Sequence, residues 1–410
     1  MLGDGCLERF PVTKPRWWLV CLVSALPSGA SAQRPVSLSQ AIEAALTVSP
    51  RSAMSRADSA AGVAGANFAK AWPNPAATVG YSKAIPNYHV VLDIPIDYPW
   101  LRGARIDAAE AGAKAAGYRS ELAKAAIRFQ VEAAYVHGLA SQARARIARS
   151  NAQDADSLVG MTQLRRDAGD ASDLDVLLVG MSAGQLANTA LSDSIAALAA
   201  VLEVQQLMGL PGDTVRVVLS DTLALPRAET PPPGLALPVA AAEAELTATQ
   251  STLDVERRRP IPAPTVQVGL EGGDPTGAEP GLLPTVGLTI PLPLFNQNGG
   301  AIALAEANRV RAEAELAQTR LETEVRLVGA YRDVQAARNR AERGQSLART
   351  AAQVAVMART AYAEGAVSLP YVLEAQRGAR EAVDQLTTDL AAAVTAYAAL
   401  RFFTASVAGP

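Results

Sequence analysis

The chain has 410 residues, with 37 lysines and arginines against 40 aspartates and glutamates, and its net charge of −3 offers no basic field to a nucleic acid. Aromatic residues make up only 5% and alanine is abundant, so few large side chains are available for a thick globular core. Such a composition suits long helices packed closely side by side.

Residues 1–32 read as an export signal. Lys14 and Arg16 supply positive charge, Trp17–Leu26 an apolar core, and Ala30-Ser31-Ala32 a small-residue cleavage site. Cys6 and Cys21 are the only cysteines, so cleavage after Ala32 would leave a mature chain with none. After residue 33 no stretch reads as a membrane-spanning helix. An exported protein of this kind would meet a membrane through β-strands or at its surface.

A first helix is expected over Ser37–Ala71, where Ser37-Leu38-Ser39-Gln40 fits an N-cap with glutamine at the third helical position. Two strands follow. Pro75–Lys83 sets Val79 and Tyr81 against Thr78, Gly80 and Ser82, and His89–Asp97 sets Val90, Leu92, Ile94 and Ile96 against His89 and Asp93. No proline occurs between Pro99 and Pro211, or between Pro293 and Pro370. Proline breaks a helix interior, and both spans are rich in good helix formers. Each is interrupted by a turn signal, Asp167-Ala168-Gly169-Asp170 in the first and Ala363-Glu364-Gly365-Ala366 in the second. The spacing predicts two helical hairpins whose first limbs run over about 103–166 and 300–363, on the order of 95 Å each at 1.5 Å per residue. A helix of that length needs lateral partners. Pro226–Pro238 reads as a linker, Pro238–Arg258 as another leading helix, and Thr265–Glu271 and Thr285–Pro291 as a second strand pair around a solvent-facing loop, Gly272–Gly281.

The second half repeats the first at a constant offset. Leu92-Asp93-Ile94-Pro95 aligns with Leu288-Thr289-Ile290-Pro291, Ala109-Glu110-Ala111 with Ala305-Glu306-Ala307, Ala134-Tyr135 with Ala330-Tyr331, and Gly169-x-x-Ser172 with Gly365-x-x-Ser368, always 196 residues apart. The chain is therefore expected to be a leader (1–32) and two tandem copies, 33–225 and 226–410. The fold class expected is mainly α with a membrane β part, each copy holding two strands and a long helical hairpin. Four strands cannot close a barrel when the smallest membrane barrels use eight, and an open sheet in lipid leaves unpaired backbone at both edges. Membrane entry thus requires oligomerisation. Three copies would supply a 12-stranded β-barrel continuous with a 12-helix α-barrel, the shape of a conduit.

Beyond the leader the whole chain resembles the TolC family of outer-membrane efflux proteins. The resemblance rests on Ser37-Leu38-x-x-Ala41-Ile42-x-x-Ala45-Leu46, on Tyr362-x-x-Gly365-x-x-Ser368-x-x-x-Val372-Leu373, and on the run Gly287–Asn296. That run, its continuation through Gly300-Ala301-Ile302, and Leu101–Ile106 are similar to the heavy-metal efflux branch of the CzcC type. The resemblance implies a homotrimeric duct in outer-membrane lipid that extends into the periplasm. It implies as partners a periplasmic adaptor and an inner-membrane transporter of the proton-driven RND type, with metal cations or small toxic compounds as substrates. The alternatives are a duct for type I protein secretion and a coiled-coil envelope protein without a pore.

Gly169, Ser172, Tyr362, Gly365 and Ser368 belong to the hairpin tips. Glycine suits a helix end because it enters the left-handed region without a side-chain clash, and Ser172 and Ser368 are expected to cap the following helices. The resemblance adds that the tips dock the adaptor. It also places Asp175 and Glu374 near a periplasmic gate, where carboxylates from three copies would favour cations, although Tyr371 stands where the family often has an acid. No chemistry of catalysis is legible. His89 and His137 are far apart and lack metal-ligand spacing, no phosphate-binding G-x-x-x-x-G-K-[ST] loop occurs, and no cofactor is expected.

Overall fold

The computed structural model describes residues 33–212, 214–226, 235–259, 263–277 and 281–406. The leader expected over 1–32 and the proline run Pro231–Pro233 lie outside the described residues. In chain order the elements are β1 (Arg34–Val36), α1 (Leu38–Thr47), α2 (Pro50–Lys70), β2 (Ala76–Tyr81), β3 (Tyr88–Pro95), α3 (Pro99–Asp167), α4 (Asp173–Leu207), β4 (Val217–Leu219), α5 (Leu237–Arg258), β5 (Thr265–Gly272), β6 (Leu283–Thr289), α6 (Gly299–Ala363) and α7 (Leu369–Thr404).

The two long limbs lie where the proline-free spans predict them. α3 has 69 residues and α6 has 65, so each is about 100 Å long at 1.5 Å per residue. The expected capping box is present: Ser37 accepts from the Gln40 amide while the Gln40 side chain accepts from the Ser37 amide. The single helix expected over Ser37–Ala71 is in fact two. Pro50 has no N–H to continue the first helix, and Ser49 caps the second through the Arg51 amide at 3.2 Å. β1 and β4 had no sequence signal; they form a short parallel pair, Arg34 opposite Val217.

α2, α3, α5 and α6 pack in that order in the half nearer the sheet, and α4, α3, α7 and α6 in the half nearer the tips. The layer is four helices wide throughout because shorter helices abut end to end. α4 ends where α2 begins, with a Cβ built on Gly209 standing 3.1 Å from Ser49 Cα. α7 ends where α5 begins, with the Leu237 amide donating to the Ala405 carbonyl at 2.9 Å. Both junctions flank one stretch of α3. Val131, Tyr135 and Leu139 pack with Ala41, Val204 and Met208 at the first, and Glu132 pairs with Arg401 at 2.8 Å at the second.

Small residues allow this layer to be thin. Ala104, Ala115, Ala145 and Ala155 on α3, Ala183, Ala190 and Ala197 on α4, and Ala341 and Ala348 on α6 are all buried. Among the described residues one helix, α4, is long and apolar enough to cross a membrane by length and composition, contrary to the sequence expectation. The cause is two apolar faces: Val179, Ala183, Val201 and Val204 are buried, while Leu174, Leu177 and Met181, and after a gap Leu191, Ile195 and Leu198, form two exposed runs at spacings of three and four.

Tyr135 closes the first junction. Its hydroxyl donates to the Val36 carbonyl at 2.7 Å and accepts from the Asp221 amide at 3.4 Å, while the Asp221 carboxylate accepts from the Leu38 amide at 2.7 Å. Burial, and after it the Asp221 carboxylate, push this hydroxyl up to about 12. The folded chain therefore holds the proton more tightly than an unfolded one, whose tyrosines titrate near about 10. The stability linked to this proton is complete below that pH and is lost as the pH rises through about 12. Alkaline titration followed by tyrosinate absorbance is expected to show one late component among the nine tyrosines of the chain. Tyr135→Phe should remove it; an unchanged late component in that variant would refute the assignment.

Candidate functional site: the hairpin tips and the four-stranded sheet

The two tips are built alike. α3 ends at Ala168 and Gly169 turns the chain with φ +87°; α6 ends at Glu364 and Gly365 does so with φ +77°. In the first tip the Asp170 amide donates to the Arg165 carbonyl and the Gly169 amide to that of Arg166. In the second the Ala366 amide donates to Ala361 and the Gly365 amide to Tyr362. These paired bonds satisfy carbonyls that a helix end leaves free, and they require a left-handed residue at the glycine.

Past the turns the copies diverge. Ser172 caps α4, with the Asp175 amide donating to Ser172 Oγ at 3.1 Å. Asp175 Oδ2 in return accepts from the Ser172 amide at 3.0 Å and from its hydroxyl at 2.8 Å. Ser368 makes no side-chain cap, contrary to expectation. Pro370 removes one N–H of the first turn, Tyr371 offers no carboxylate to complete a capping box, and the Tyr371 amide turns back to the Ser368 carbonyl at 3.2 Å. Glu374 is exposed and pairs with Arg377 at 2.9 Å. The two acids expected at a gate are thus each bound within their own helix rather than to one another.

The structure joins the two tips through Tyr362, which the sequence reading placed there, and through Arg165, Leu158, Val179 and Leu369, which it did not single out. Tyr362 is buried, 4% exposed, in a cluster with Leu158, Val179, Leu369 and Val372 drawn from four helices. The Arg165 guanidinium lies 4.6 Å over its ring and donates to its backbone carbonyl. A cation held over an aromatic face adds attraction beyond packing. Asp154 and Arg359 pair at 3.5 Å, Arg359 standing three residues before Tyr362 on α6. The exposed surface of the tip includes Gly169, Asp170, Ser172, Asp173, Gly365, Ser368 and Tyr371.

At the other end the two predicted strand pairs join into one antiparallel sheet of order β2-β3-β5-β6. The register sorts its faces. Val79, Val90, Leu270 and Pro284 lie opposite one another in one row, and Ala77, Leu92, Val268 and Val286 in the next. Alternation then puts Thr78, His89, Asp93, Gln267, Glu271 and Thr285 on the other face. There Gln267 donates to Asp93 at 2.7 Å, and His89 stands 3.5 Å from Glu271. One face is wholly apolar and largely exposed; the other carries all of these polar side chains, bonded among themselves, with Val91, Leu283 and three glycines between them. Among the described residues β2 and β6 are unpaired on their outer edges.

Between sheet and helices, Asp97 forms a node that the sequence did not announce. Its side chain is 5% exposed and binds Arg105 at 2.7 Å and Arg102 at 3.7 Å. Arg102 lies over Trp72 and donates to the Lys70 carbonyl, while Arg105 donates to that of Ala69. Among the described residues no group of three or more His, Cys, Asp or Glu side chains is placed to hold a metal ion.

Residues 236–406 match the family described as outer membrane efflux protein. The nickel and cobalt resistance protein CnrC of Cupriavidus metallidurans is 29% identical over 315 residues, spanning 71% of this chain and 74% of that protein. The cobalt-zinc-cadmium resistance protein CzcC of the same organism is 28% identical over 300 residues, 70% and 69% of the two chains. Among solved structures, the outer membrane protein VceC of Vibrio cholerae superposes with a TM-score of 0.73 at 18% identity, covering 90% of this chain and 96% of that one.

Proposed function

We propose that this chain is an outer membrane efflux protein, as the match over residues 236–406 supports, and that three copies of it close into the outer-membrane exit duct of a tripartite efflux system. The observation that carries this reading is the four-stranded sheet, with one face wholly apolar, its polar side chains gathered on the other, and both edges unpaired among the described residues. Only closure with further strands satisfies those edges in lipid. The helical layer has matching open edges, α6 on one side and α2 with α4 on the other, and α4 and α6 expose apolar rows there. Edge-to-edge joining in threes gives twelve strands continuous with twelve helices. Twelve helices spaced at about 10 Å form a ring about 38 Å across between axes, which leaves a lumen on the order of 28 Å.

Within that assembly the apolar sheet face meets outer-membrane lipid and the helical tube crosses the periplasm. The two tandem copies, 33–225 and 226–410, each contribute one strand pair and one hairpin. The tips form the inner end, where Gly169, Ser172, Gly365 and Ser368 meet a periplasmic adaptor, while Tyr362 acts from beneath by holding the tips in place. Asp175 and Glu374 lie just inside this end, where three copies of each surround the axis as a gate. An inner-membrane pump of the proton-driven RND type supplies the energy, and metal cations are the cargo, in keeping with the relatives named for nickel, cobalt, zinc and cadmium resistance. The chain's own work is conduction.

Purified protein, sized in detergent and then placed in a planar bilayer, tests this reading. The expected result is a trimer with discrete conductance steps. A monomer without conductance would remove the duct and leave a coiled-coil envelope protein as the better description.

A further inference from the structure

The chain passes the level between sheet and helices three times within the described residues. α2 leads into β2 through 71–75, β3 into α3 through 96–98, and β6 into α6 through 290–298. The middle passage is locked by the Asp97 node. The outer two lie on opposite edges of the chain and carry large apolar side chains with nothing over them. On the α2 edge, Phe68 and Trp72 are exposed; on the β6 edge, Leu292 and Leu294 are exposed and Phe295 is entirely so. Pro291 and Pro293 have no N–H, so this second segment cannot lengthen the β6 ladder and cover itself within the sheet.

Resting on the trimeric reading, we propose that these two patches are the halves of one lock between copies, in which Leu292, Leu294 and Phe295 of one copy pack against Phe68 and Trp72 of the next. Pairing β6 with a neighbour's β2 brings the two passages side by side, because both lie at the same height on the edges that must join. α2 turns Ala66 and Ala69 inward to be buried, and Phe68 stands clear of that packed face. Trp72 is already held on one side by Arg102, whose guanidinium is 4.7 Å from the ring centroid, which fixes the indole as one wall of a receiving site. A second copy is favoured over lipid because these five side chains lie on the two edges that closure covers, whereas the exposed Ile96 and Trp100 of the middle passage lie on neither.

Cysteine cross-linking tests the lock in the full chain, with Cys6 and Cys21 changed to serine so that no other thiol remains. The substitutions are Trp72→Cys and Phe295→Cys. Within one chain the two sites adjoin edge strands that stand three spacings apart, about 14 Å, whereas a disulfide needs Cα atoms within about 7 Å. A bond between them therefore joins two copies. The expected result is a covalent trimer after oxidation of the double variant, with each single variant remaining monomeric in denaturing electrophoresis. Phe295→Ser alone should lower the temperature at which the trimer dissociates in detergent, while Thr285→Ser on the polar face should not. A trimer by mass that gives no cross-link, with a nitroxide at position 295 relaxed by oxygen dissolved in lipid, would assign the patch to lipid and overturn the lock alone. A monomer by mass would overturn the lock and the trimeric reading together.

Discussion

Replacing Asp97 by alanine is expected to destabilise the chain by about 3 kcal/mol, the lower end of what removing one partner of a buried ion pair costs. The carboxylate is 5% exposed, whereas the side chains of Arg102 and Arg105 are 27% and 37% exposed, so water softens the loss without cancelling it. Without Asp97 two guanidinium groups face one another, and Arg102 Nε already lacks a hydrogen-bond partner. The damage also spreads along the chain, since both arginines bind carbonyls at the end of α2, Lys70 at 2.7 Å and Ala69 at 3.2 Å. Asp97→Asn keeps the shape and one acceptor and should lose less. Urea unfolding followed by helical circular dichroism reads both variants. An Asp97→Ala midpoint equal to wild type would mean that the node contributes nothing to the fold.

Arginine introduced on the two faces of the sheet should have opposite consequences. Val268 lies at mid-height on the apolar face, opposite Leu92 and Val286. A lipid-facing arginine at the bilayer midplane costs about 2–4 kcal/mol, so Val268→Arg is expected to cut the fraction of protein that folds into vesicles severalfold. Gln267 is the next residue along the same strand but on the polar face, 2.7 Å from the Asp93 carboxylate. Gln267→Arg places its charge beside an acid facing water and should fold nearly as wild type. Heat-modifiable mobility in electrophoresis after vesicle insertion distinguishes the pair. Equal tolerance of both substitutions would show that the apolar face does not meet lipid.

The long helices were legible because proline is punctuation: the predicted limb 300–363 differs from α6 by one residue at its start, and the limb 103–166 differs from α3 by four at its start and one at its end. Proline at the first helical turn is tolerated, so α3 begins at Pro99, earlier than a purely excluding rule predicts. The tips were legible because a left-handed turn selects glycine. The break at Pro50 was not, since alanine-rich sequence runs past it on both sides. Two-residue alternation announced each strand but not the joining of β3 to β5, whose residues are separated by the whole first hairpin. The contact of Arg165 with Tyr362 and the Asp97 node were hidden for a related reason. Arginine is frequent here, and no spacing rule links side chains on different helices. Asp97 has no counterpart at the same offset in the second copy, where Pro293 stands.

The end-to-end junctions in the helical layer also have a mechanical meaning. In each copy α3 and α6 are unbroken rods, while α2 with α4, and α5 with α7, are staves cut and butted at the height of Glu132 to Leu139. A butted stave transmits compression but little tension. A pull along the tube is therefore borne by two rods per copy, and shear concentrates at the height of the cuts. In the proposed duct a twist applied at the tips would therefore load the Val131–Tyr135–Leu139 cluster and the Glu132–Arg401 pair before it reaches the sheet.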